Sequence, residues 1–251
     1  MSDGFFIADL LEGVSVGDEV RLTGAEAHHA GVVRRLAVGE SVTLTDGEGR
    51  GIVGHVCDAS KSVVGVEVDS VLTPQPAHLW ITVAQALPKQ DRAELAVDLM
   101  TEAGVDEILP WAGARSQVRW SGERGEKGYA KWVATAREAS KQARRLKFPV
   151  IDAYSSLSDL MERARACDAV IIMHEKSARP ISSCPVPASG KVLIVIGPEG
   201  GLTDEEVYAL EEVGGTPYLM GPTVLRTSTA GAVAVTQVRL LAELAKGESH
   251  E

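Results

Sequence analysis

The sequence contains few cysteines and no long apolar run. No apolar stretch in its 251 residues approaches the ~18–20 residues of a membrane-spanning helix. Its first residues carry no basic segment of the kind that opens a signal peptide. Cys57, Cys167 and Cys184 are far apart and form no C-x-x-C pair, which argues against a disulfide framework and against a zinc site. We therefore expect a cytoplasmic protein without a membrane segment.

Histidine motifs for metal binding are missing as well. The six histidines form no H-E-x-x-H or similar ligand set, so the sequence predicts no metal site. An apolar content of 45% with 24% charged residues is ordinary for a soluble globular protein. At 251 residues, the chain reaches the length at which proteins often form two domains with separate hydrophobic cores.

Charge is unevenly distributed along the chain. Between Arg115 and Lys147, ten Lys and Arg residues stand against three Glu, so this segment carries +7. The whole chain carries −10, which leaves −17 for the remainder. Local basic density is typical of a surface that contacts phosphates, but a run of charge also occurs on an ordinary solvated helix face. Both interpretations stay open at this point.

The first 72 residues have the pattern of a small β-rich domain. Short β-branched runs, separated by turn residues, predict strands over residues 19–23, 41–45, 51–56 and 63–68. A helix is predicted over 25–35. The segment 72–77 contains two prolines, which interrupt helices and sheet pairing, so we predict a linker there. The predicted domains are residues 1–72 and 73–251.

Strand and helix patterns alternate in the second domain. Strands are predicted over 79–86, 105–110, 168–173, 192–196 and 217–220. Helices are predicted over 91–103, 129–146, 203–213 and 227–245. Such alternation is typical of an α/β fold with a mostly parallel sheet.

Two of these helices have assignable faces. In the helix over 91–103, the predicted buried face comprises Leu95, Ala96, Leu99, Met100 and Ala103. In the helix over 129–146, the predicted apolar face comprises Trp132, Ala136, Ala139 and Ala143. Its predicted basic face comprises Arg137, Lys141 and Arg144.

The most informative segment runs from residue 191 to residue 206. Five apolar residues predict a strand that is buried on both faces. Gly197-Pro-Glu-Gly-Gly201 follows, where backbone can approach a ligand closely. Thr203 and Glu206 have the spacing of a capping box, which predicts a helix start. The loop matches neither of the common nucleotide-binding patterns, G-x-G-x-x-G and G-x-x-x-x-G-K-[ST]. We therefore predict a ligand site that is built from backbone but differs from those two kinds of site.

Two further loops follow predicted strands of the same domain. Met173-His-Glu-Lys176 follows one strand, and Met220-Gly-Pro-Thr-Val-Leu-Arg226 follows another. If these strands are neighbours of the strand before Gly197, the three loops meet at one edge of the sheet, where α/β proteins bind ligands.

These loops and several other segments resemble the bacterial 16S rRNA (uracil-N3)-methyltransferase family, which belongs to the SPOUT class of RNA methyltransferases. The resemblance covers most of the chain. It rests on Gly197-Pro-Glu-Gly-Gly201, Leu219-Met-Gly-Pro-Thr-Val-Leu-Arg-Thr-Ser-Thr-Ala230, His28-His29, Val33-Arg34-Arg35, Gly39-Glu40, Ala86-Leu-Pro-Lys-Gln-Asp-Arg92, Ala103-Gly-Val-Asp-Glu-Ile-Leu-Pro110 and Arg137-Glu-Ala-Ser-Lys-Gln142.

The resemblance implies an N-terminal PUA-like β-barrel that binds RNA and a C-terminal α/β trefoil-knot domain that dimerises. It also implies S-adenosylmethionine as cofactor, bound by the three loops. The implied cofactor-binding residues are Leu87, His174, Ile196, Gly197, Pro198, Glu199, Gly200, Gly201, Leu219, Met220, Gly221, Leu225 and Arg226. Our candidate RNA contacts are His29, Arg34, Arg35, Lys89, Arg92, Arg115, Arg119, Arg137, Lys141, Arg144 and Arg145.

The expected reaction is methyl transfer to N3 of a uridine in 16S rRNA, near the decoding region of the small ribosomal subunit. Arg226 is our candidate for stabilising negative charge on the base, although it could instead hold the loop through carbonyl groups. Glu199 is a candidate for orienting the loop or the base, or for acting as general base. His28 and His29 are expected to contact RNA or to pack inside the small domain.

Two positions depart from the family pattern. Ser228 stands where the family usually has Glu, so we assign no general base there, and Lys141 stands where the family usually has an acidic residue. The alternatives are an enzyme of this class that acts on another RNA, a non-catalytic RNA-binding factor of ribosome assembly, and an α/β enzyme for small molecules.

Overall fold

The computed structural model describes residues 4–9, 11–60, 62–73, 79–89 and 92–248. The contacts within the chain define two units. One comprises Met1–Pro76 and Ser140–Phe148, and the other comprises Ala77–Ala139 and Pro149–Glu251. Residues 140–148, which the sequence analysis placed in the second domain, therefore group with the first unit. Most of the predicted linker lies outside the described residues, and the boundary after residue 72 stays a prediction.

The first unit is built on a five-stranded sheet. Its elements are β1 (Gly4–Ile7), β2 (Glu19–Leu22), α1 (Gly24–His28), β3 (Ser41–Thr45), β4 (Gly51–Ala59) and β5 (Val64–Leu72). The strand order is β1-β3-β4-β5-β2, with β1 parallel to β3 and the other pairs antiparallel. Phe6, Leu22, Leu44, Ile52 and Val66 form part of its core. All four predicted strands are confirmed, while β1 was not predicted.

The helix predicted over 25–35 is only partly correct. After α1, residues His29–Val33 form a π-helical turn, in which the Arg34 amide donates to the His29 carbonyl oxygen at 2.8 Å. Gly31 lies in this turn, and a Cβ there would be 2.4 Å from the carbonyl oxygen of Ser60. The close backbone approach therefore requires glycine.

Residues 140–148 are tied to the first unit by backbone hydrogen bonds. The carbonyl oxygen of Leu146 accepts from the Thr45 hydroxyl at 2.8 Å and from the Gly49 amide at 3.0 Å. The Phe148 amide donates to the Gly47 carbonyl oxygen at 2.8 Å. These contacts join residues about 100 positions apart, and no local pattern in the sequence indicates them.

Lys141 belongs to this segment and is buried. Its ammonium lies 2.8 Å from a carboxylate oxygen of Glu26, and the two side chains are 8% and 15% exposed. The second carboxylate oxygen of Glu26 accepts from the Ile7 amide at 3.3 Å. The prediction that Lys141 shares a solvent-facing basic surface with Arg137 and Arg144 is therefore wrong, because its charge is neutralised inside the unit.

The second unit is built on a six-stranded sheet, and all of its strand pairs are parallel. Its elements are β6 (Leu79–Ala86), α2 (Arg92–Glu102), β7 (Glu107–Trp111), α3 (Gly122–Gln142, whose last three residues group with the first unit), β8 (Val150–Ile151), α4 (Leu157–Arg165), β9 (Ala169–Met173), β10 (Gly190–Ile196), α5 (Asp204–Glu211), β11 (Gly215–Tyr218) and α6 (Thr227–Glu248). The strand order is β11-β9-β10-β6-β7-β8. The predicted fold class is confirmed.

Helix α3 begins seven residues earlier than predicted. The sequence did not indicate its first turns, because they are rich in glycine, which is a poor helix former. Gly125 and Gly128 are needed there, since a Cβ at either would lie 3.1 Å or less from Trp120. Trp120 in turn packs edge-on against Trp132 at 5.1 Å. The tertiary packing of Trp120 thus overrides the low intrinsic helix propensity.

The helix faces were predicted with mixed success. Trp132, Ala136 and Ala139 of α3 are buried as predicted. The predicted face of α2 is wrong in part, because Val97 and Thr101 are buried and Leu95 is 40% exposed. The face follows from the packing of α2 against α6, where a Cβ at Gly231 would lie 2.5 Å from the Met100 sulfur.

Glu107, at the start of β7, is buried among polar partners. Its carboxylate accepts hydrogen bonds from Thr82 Oγ1 at 2.8 Å and Trp80 Nε1 at 3.1 Å, and pairs with the guanidinium of Arg163. Burial alone would raise the pKa of Glu107. The hydrogen bonds from Thr82, Arg163 and Trp80, together with the charge of Arg163, outweigh burial and lower it.

We expect Glu107→Gln to destabilise the protein at pH 7 by about 1.5–3 kcal/mol, the range for hydrogen bonds to a charged group. Because the pKa of Glu107 is lower in the folded state than in the unfolded state, its ionised carboxylate stabilises the folded protein at pH values above the unfolded-state pKa of about 4.3. This stabilisation is lost as the pH falls through the folded-state pKa. The deficit of the variant should therefore shrink at low pH. Urea unfolding at pH 7 and at low pH measures it. Asp152→Asn is the control, because its contact with Arg163 is 3.6 Å long and partly exposed. An equal deficit at both pH values would contradict the prediction.

We expect Lys141→Met to cost about 3–5 kcal/mol of stability, because it leaves Glu26 as an uncompensated buried charge. The double variant Lys141→Met/Glu26→Gln should recover most of this loss. Arg144→Met, at an exposed position of the same segment, is the matched control and should change stability by no more than about 0.5 kcal/mol. Chemical denaturation of the wild-type chain, Lys141→Met, Glu26→Gln and the double variant gives the coupling energy. Additive effects of the two single substitutions would mean that the pair does not contribute as a unit.

Candidate active site

The carboxyl ends of β9, β10 and β11 surround a cavity of about 520 Å³. These three strands are neighbours in the sheet, as required for their loops to converge. The volume lies within the range of about 300–1,000 Å³ that is usual for small-molecule sites. The lining residues are Met173–Glu175, Ile196–Leu202, Leu219–Thr227 and Ala230.

The loop after β10 presents backbone to the cavity. Gly201 has a positive φ of 71°, and its amide closes a turn onto the Pro198 carbonyl oxygen at 2.8 Å. A Cβ at Gly197 would lie 3.0 Å from Leu202, and one at Gly200 would lie 3.0 Å from Cβ of Arg115. The glycines therefore allow close packing behind the loop as well as a ligand in front of it.

Glu206 holds this loop in place. Its buried carboxylate accepts from the Thr203 amide at 2.8 Å, which completes the predicted capping box of α5. The other oxygen of the same carboxylate accepts from the Ala114 amide at 2.6 Å. One side chain thus joins the glycine loop to the segment that follows β7.

Arg115 fastens the same loop from the outside. Its guanidinium donates to the carbonyl oxygens of Gly200 at 3.1 Å and Leu202 at 3.2 Å. Arg115 was predicted as a phosphate contact, and the structure gives it two backbone partners inside the protein. It acts here as a brace for the loop.

The loop after β9 forms a compact turn. The His174 amide donates to the Tyr218 carbonyl oxygen at 3.0 Å, and its Nδ1 accepts from the Lys176 amide at 3.2 Å. Ser177 donates through its hydroxyl to the Pro217 carbonyl oxygen at 2.9 Å. These bonds fix the backbone on both sides of Glu175, which lines the cavity beside Gly201.

The loop after β11 leads into α6. The Gln237 side chain holds it by donating to the Met220 carbonyl oxygen at 3.0 Å. The Arg226 carbonyl oxygen accepts from the amides of Thr229 and Ala230 at the start of α6. The Arg226 side chain is exposed at the cavity and has no hydrogen bond or ion pair with any other described residue.

Ser228 lies behind the cavity wall and does not line the cavity. Its side chain is buried, and its hydroxyl has no hydrogen-bond partner among residues 4–9, 11–60, 62–73, 79–89 and 92–248. Buried Gln85 donates to the carbonyl oxygens of Ala86 at 2.9 Å and Thr227 at 3.3 Å, while its own Oε1 has no partner in the same part of the chain. Gln85 was not predicted, and only tertiary contacts reveal it.

All but one of the predicted cofactor residues line the cavity. The exception is Leu87, which is buried in the core of the second unit. Glu199 is exposed, and its carboxylate accepts from the Lys89 amide at 3.1 Å. The cofactor and catalytic roles of these residues stay predictions.

The predicted RNA contacts differ in exposure. Arg34, Arg35, Arg92, Arg119, Arg137 and Arg144 are exposed. His29 is half-buried with its ring against Phe6 at 5.7 Å, Lys89 is half-buried, and half-buried Arg145 donates to the Lys147 carbonyl oxygen at 3.1 Å. Lys141 is buried and cannot contact phosphate without breaking its ion pair with Glu26.

In the described part of the chain, no group of three or more His, Cys, Asp or Glu residues is arranged to hold a metal ion. Burial raises the pKa of the Cys167 and Cys184 thiols, so these thiols are protonated at neutral pH. In those same residues no helix is both long enough and apolar enough to cross a membrane.

Comparisons with known proteins agree with this architecture. Residues 75–239 match the model of an RNA methyltransferase domain, and residues 22–62 match that of an RNA methyltransferase PUA domain. Ribosomal RNA small subunit methyltransferase E of Mycobacterium tuberculosis is 40% identical over 222 residues, 87% of this chain and 85% of the relative. The enzyme of the same name from Bacillus subtilis is 28% identical over 97% of this chain and 98% of its own length.

Two solved structures share the whole fold. The ribosomal RNA small subunit methyltransferase E of Neisseria gonorrhoeae, bound to S-adenosyl methionine, has a TM-score of 0.83 at 26% identity. The putative methyltransferase Lpg2936 of Legionella pneumophila, with bound cofactor SAM, has a TM-score of 0.83 at 28% identity. Each match covers 96% of this chain and 98% of the other. The chain therefore belongs to the family of the ribosomal RNA small subunit methyltransferases E.

Proposed function

We propose that this protein transfers a methyl group from S-adenosylmethionine to N3 of a uridine in 16S rRNA, near the decoding region of the small ribosomal subunit. The observation that carries the proposal is the cavity formed by the three backbone loops after β9, β10 and β11. Two solved relatives with the same fold hold this cofactor. The cytoplasm as location and a homodimer as the active form belong to the same proposal.

The residues of the cavity fit a nucleoside cofactor. A Cβ at Gly221 would meet nothing within 4 Å, so this glycine leaves open space beside the backbone of its loop. Ile196, Leu219 and Leu225 supply apolar surface for an adenine ring. The loop residues Gly197–Gly201 supply amide and carbonyl groups for polar atoms. When bound, the sulfonium of the cofactor supplies an electrophilic methyl group.

Arg226 is suited to stabilise the uracil anion. Removal of the N3 proton places negative charge on the neighbouring oxygens of the base, and a fixed cation lowers the energy of that state. The guanidinium projects from the residue before α6, whose backbone is held by the helix start. Because it has no partner among the described residues, binding the base would break no existing contact.

The general base is not assigned to a residue. Glu199 lines the cavity, but one of its oxygens already accepts the Lys89 amide, which favours a role in holding the loop. Ser228 is buried behind the wall and does not reach the substrate side. The arrangement therefore favours catalysis by positioning and by charge stabilisation.

A non-catalytic factor of ribosome assembly is the second candidate function, and its one support is the departure from the family pattern in sequence, where Ser228 stands in place of the usual Glu. Titration calorimetry with S-adenosylmethionine separates the two, because the absence of heat at millimolar cofactor would exclude the enzyme. Labelled methyl transfer to small subunits, to naked 16S rRNA and to tRNA then identifies the substrate. Uptake by tRNA alone would contradict the proposed rRNA target, and mapping the methylated nucleotide tests the position.

We expect Arg226→Ala to lower methyl transfer by about 100-fold or more, as for the loss of one group that stabilises transition-state charge. Cofactor affinity should stay within about tenfold, or roughly 1.4 kcal/mol. Radiolabelled transfer and calorimetry measure the two effects on the same preparation. Arg226→Lys keeps the charge and should retain part of the activity. Equal losses of transfer and of cofactor affinity in Arg226→Ala would make Arg226 a cofactor ligand instead.

We expect Arg137→Glu and Arg144→Glu each to weaken rRNA binding and to reduce the dependence of log affinity on log salt by about one phosphate contact. Lys127→Glu is the matched control on α3, because Lys127 is already paired with Glu123 at 2.7 Å. Filter binding at several salt concentrations measures the slopes. Slopes that are unchanged in both variants would show that these arginines are ordinary solvated side chains.

A further inference from the structure

Glu175 is an acidic residue in the lining of the cavity. Among the described residues, its carboxylate takes part in no hydrogen bond or ion pair. The other carboxylate of the lining, Glu199, accepts the Lys89 amide. The Glu175 side chain lines the cavity and is exposed to solvent. A negative charge is thus available at the place proposed for the cofactor.

Hydrogen bonds of the neighbouring residues hold the backbone of the turn that carries Glu175. The turn that carries Glu175 is held by the Tyr218 carbonyl oxygen on one side and by the His174 ring nitrogen on the other. Its two oxygens lie 3.7 and 4.0 Å from where a Cβ of Gly201 would be. Glu175 therefore projects from the end of β9 toward the glycine loop at the end of the neighbouring strand β10.

An acidic side chain beside a glycine loop at adjacent strand ends suits a ribose. A carboxylate has enough lone pairs to accept from two neighbouring hydroxyl groups at once. In dinucleotide-binding α/β proteins, an Asp or Glu takes the 2′-hydroxyl of ribose in a comparable position at the sheet edge. Here the glycine loop supplies backbone amides and carbonyls, and Glu175 supplies the charged acceptor.

We propose that Glu175 binds the ribose hydroxyl groups of the cofactor and so sets the specificity of the cavity for a ribonucleoside. This rests on the proposed function, because it requires S-adenosylmethionine as ligand. The competing role for the same carboxylate is an ion pair with the ammonium group of the methionine part. The two roles can be distinguished with two changes in the ligand, the removal of its 2′-hydroxyl and the removal of its amino-acid part.

The test uses S-adenosylhomocysteine, which lacks the sulfonium charge, its 2′-deoxy analogue, and methylthioadenosine, which lacks the amino-acid part. Calorimetry with the wild-type chain and with Glu175→Gln gives six affinities. Loss of a hydrogen bond to a charged group costs on the order of tenfold in affinity or more. We therefore expect Glu175→Gln to weaken the binding of S-adenosylhomocysteine and methylthioadenosine about tenfold. The binding of the 2′-deoxy analogue should weaken by less, because only its 3′-hydroxyl remains as a donor to the carboxylate.

Three outcomes would overturn the assignment. If Glu175→Gln weakens S-adenosylhomocysteine and its 2′-deoxy analogue equally but leaves methylthioadenosine unchanged, the carboxylate contacts the ammonium group. If all three affinities are unchanged, Glu175 is solvated and the proposed function still stands. If the wild-type chain binds none of the ligands, the proposed function fails together with the assignment. Glu212→Gln, an exposed substitution outside the cavity, is the control and should leave all three affinities unchanged.

Discussion

The cavity depends on the buried carboxylate of Glu206. A single side chain accepts the Thr203 amide and the Ala114 amide, and so fixes the start of α5 and the segment after β7 in one step. Burying a carboxylate is costly unless its oxygens are hydrogen-bonded, and here both are. Because Gly197–Gly201 has few side chains of its own to hold it, the loop takes its shape from this joint and from the two carbonyl contacts of Arg115.

The polar side chains around the cavity form two sets. One set is hydrogen-bonded to the backbone of the loops, and the other has no such partner. Glu206, Gln85, Arg115 and Gln237 all bond to backbone and hold the loops in position. Arg226 and Glu175 carry opposite charges on different loops and bond to no other side chain in the described part of the chain. The first set holds the backbone of the loops, and the two charged groups are the ones that we propose for the base and for the nucleoside.

Local patterns in the sequence predicted the elements that determine the site. The apolar run before Gly197 and the Thr203–Glu206 capping box give the correct strand, loop and helix start, because each depends on neighbours within a few residues. The capping box of α4 at Ser156 and Asp159 is a similar local signal that could have revealed that helix. The partners of Lys141 and Gln85 could not be predicted, because Glu26 and Thr227 are 115 and 142 positions away.

The departure at Ser228 concerns the interior of the second unit more directly than it concerns the cavity surface. Its hydroxyl is buried in the first turn of α6, next to Thr227, whose carbonyl oxygen accepts from Gln85. The Ser228 hydroxyl has no hydrogen-bond partner among the described residues, so no hydrogen bond there compensates for its burial. The chemistry available to a substrate is set by the residues that reach the cavity, and Ser228 is not one of them.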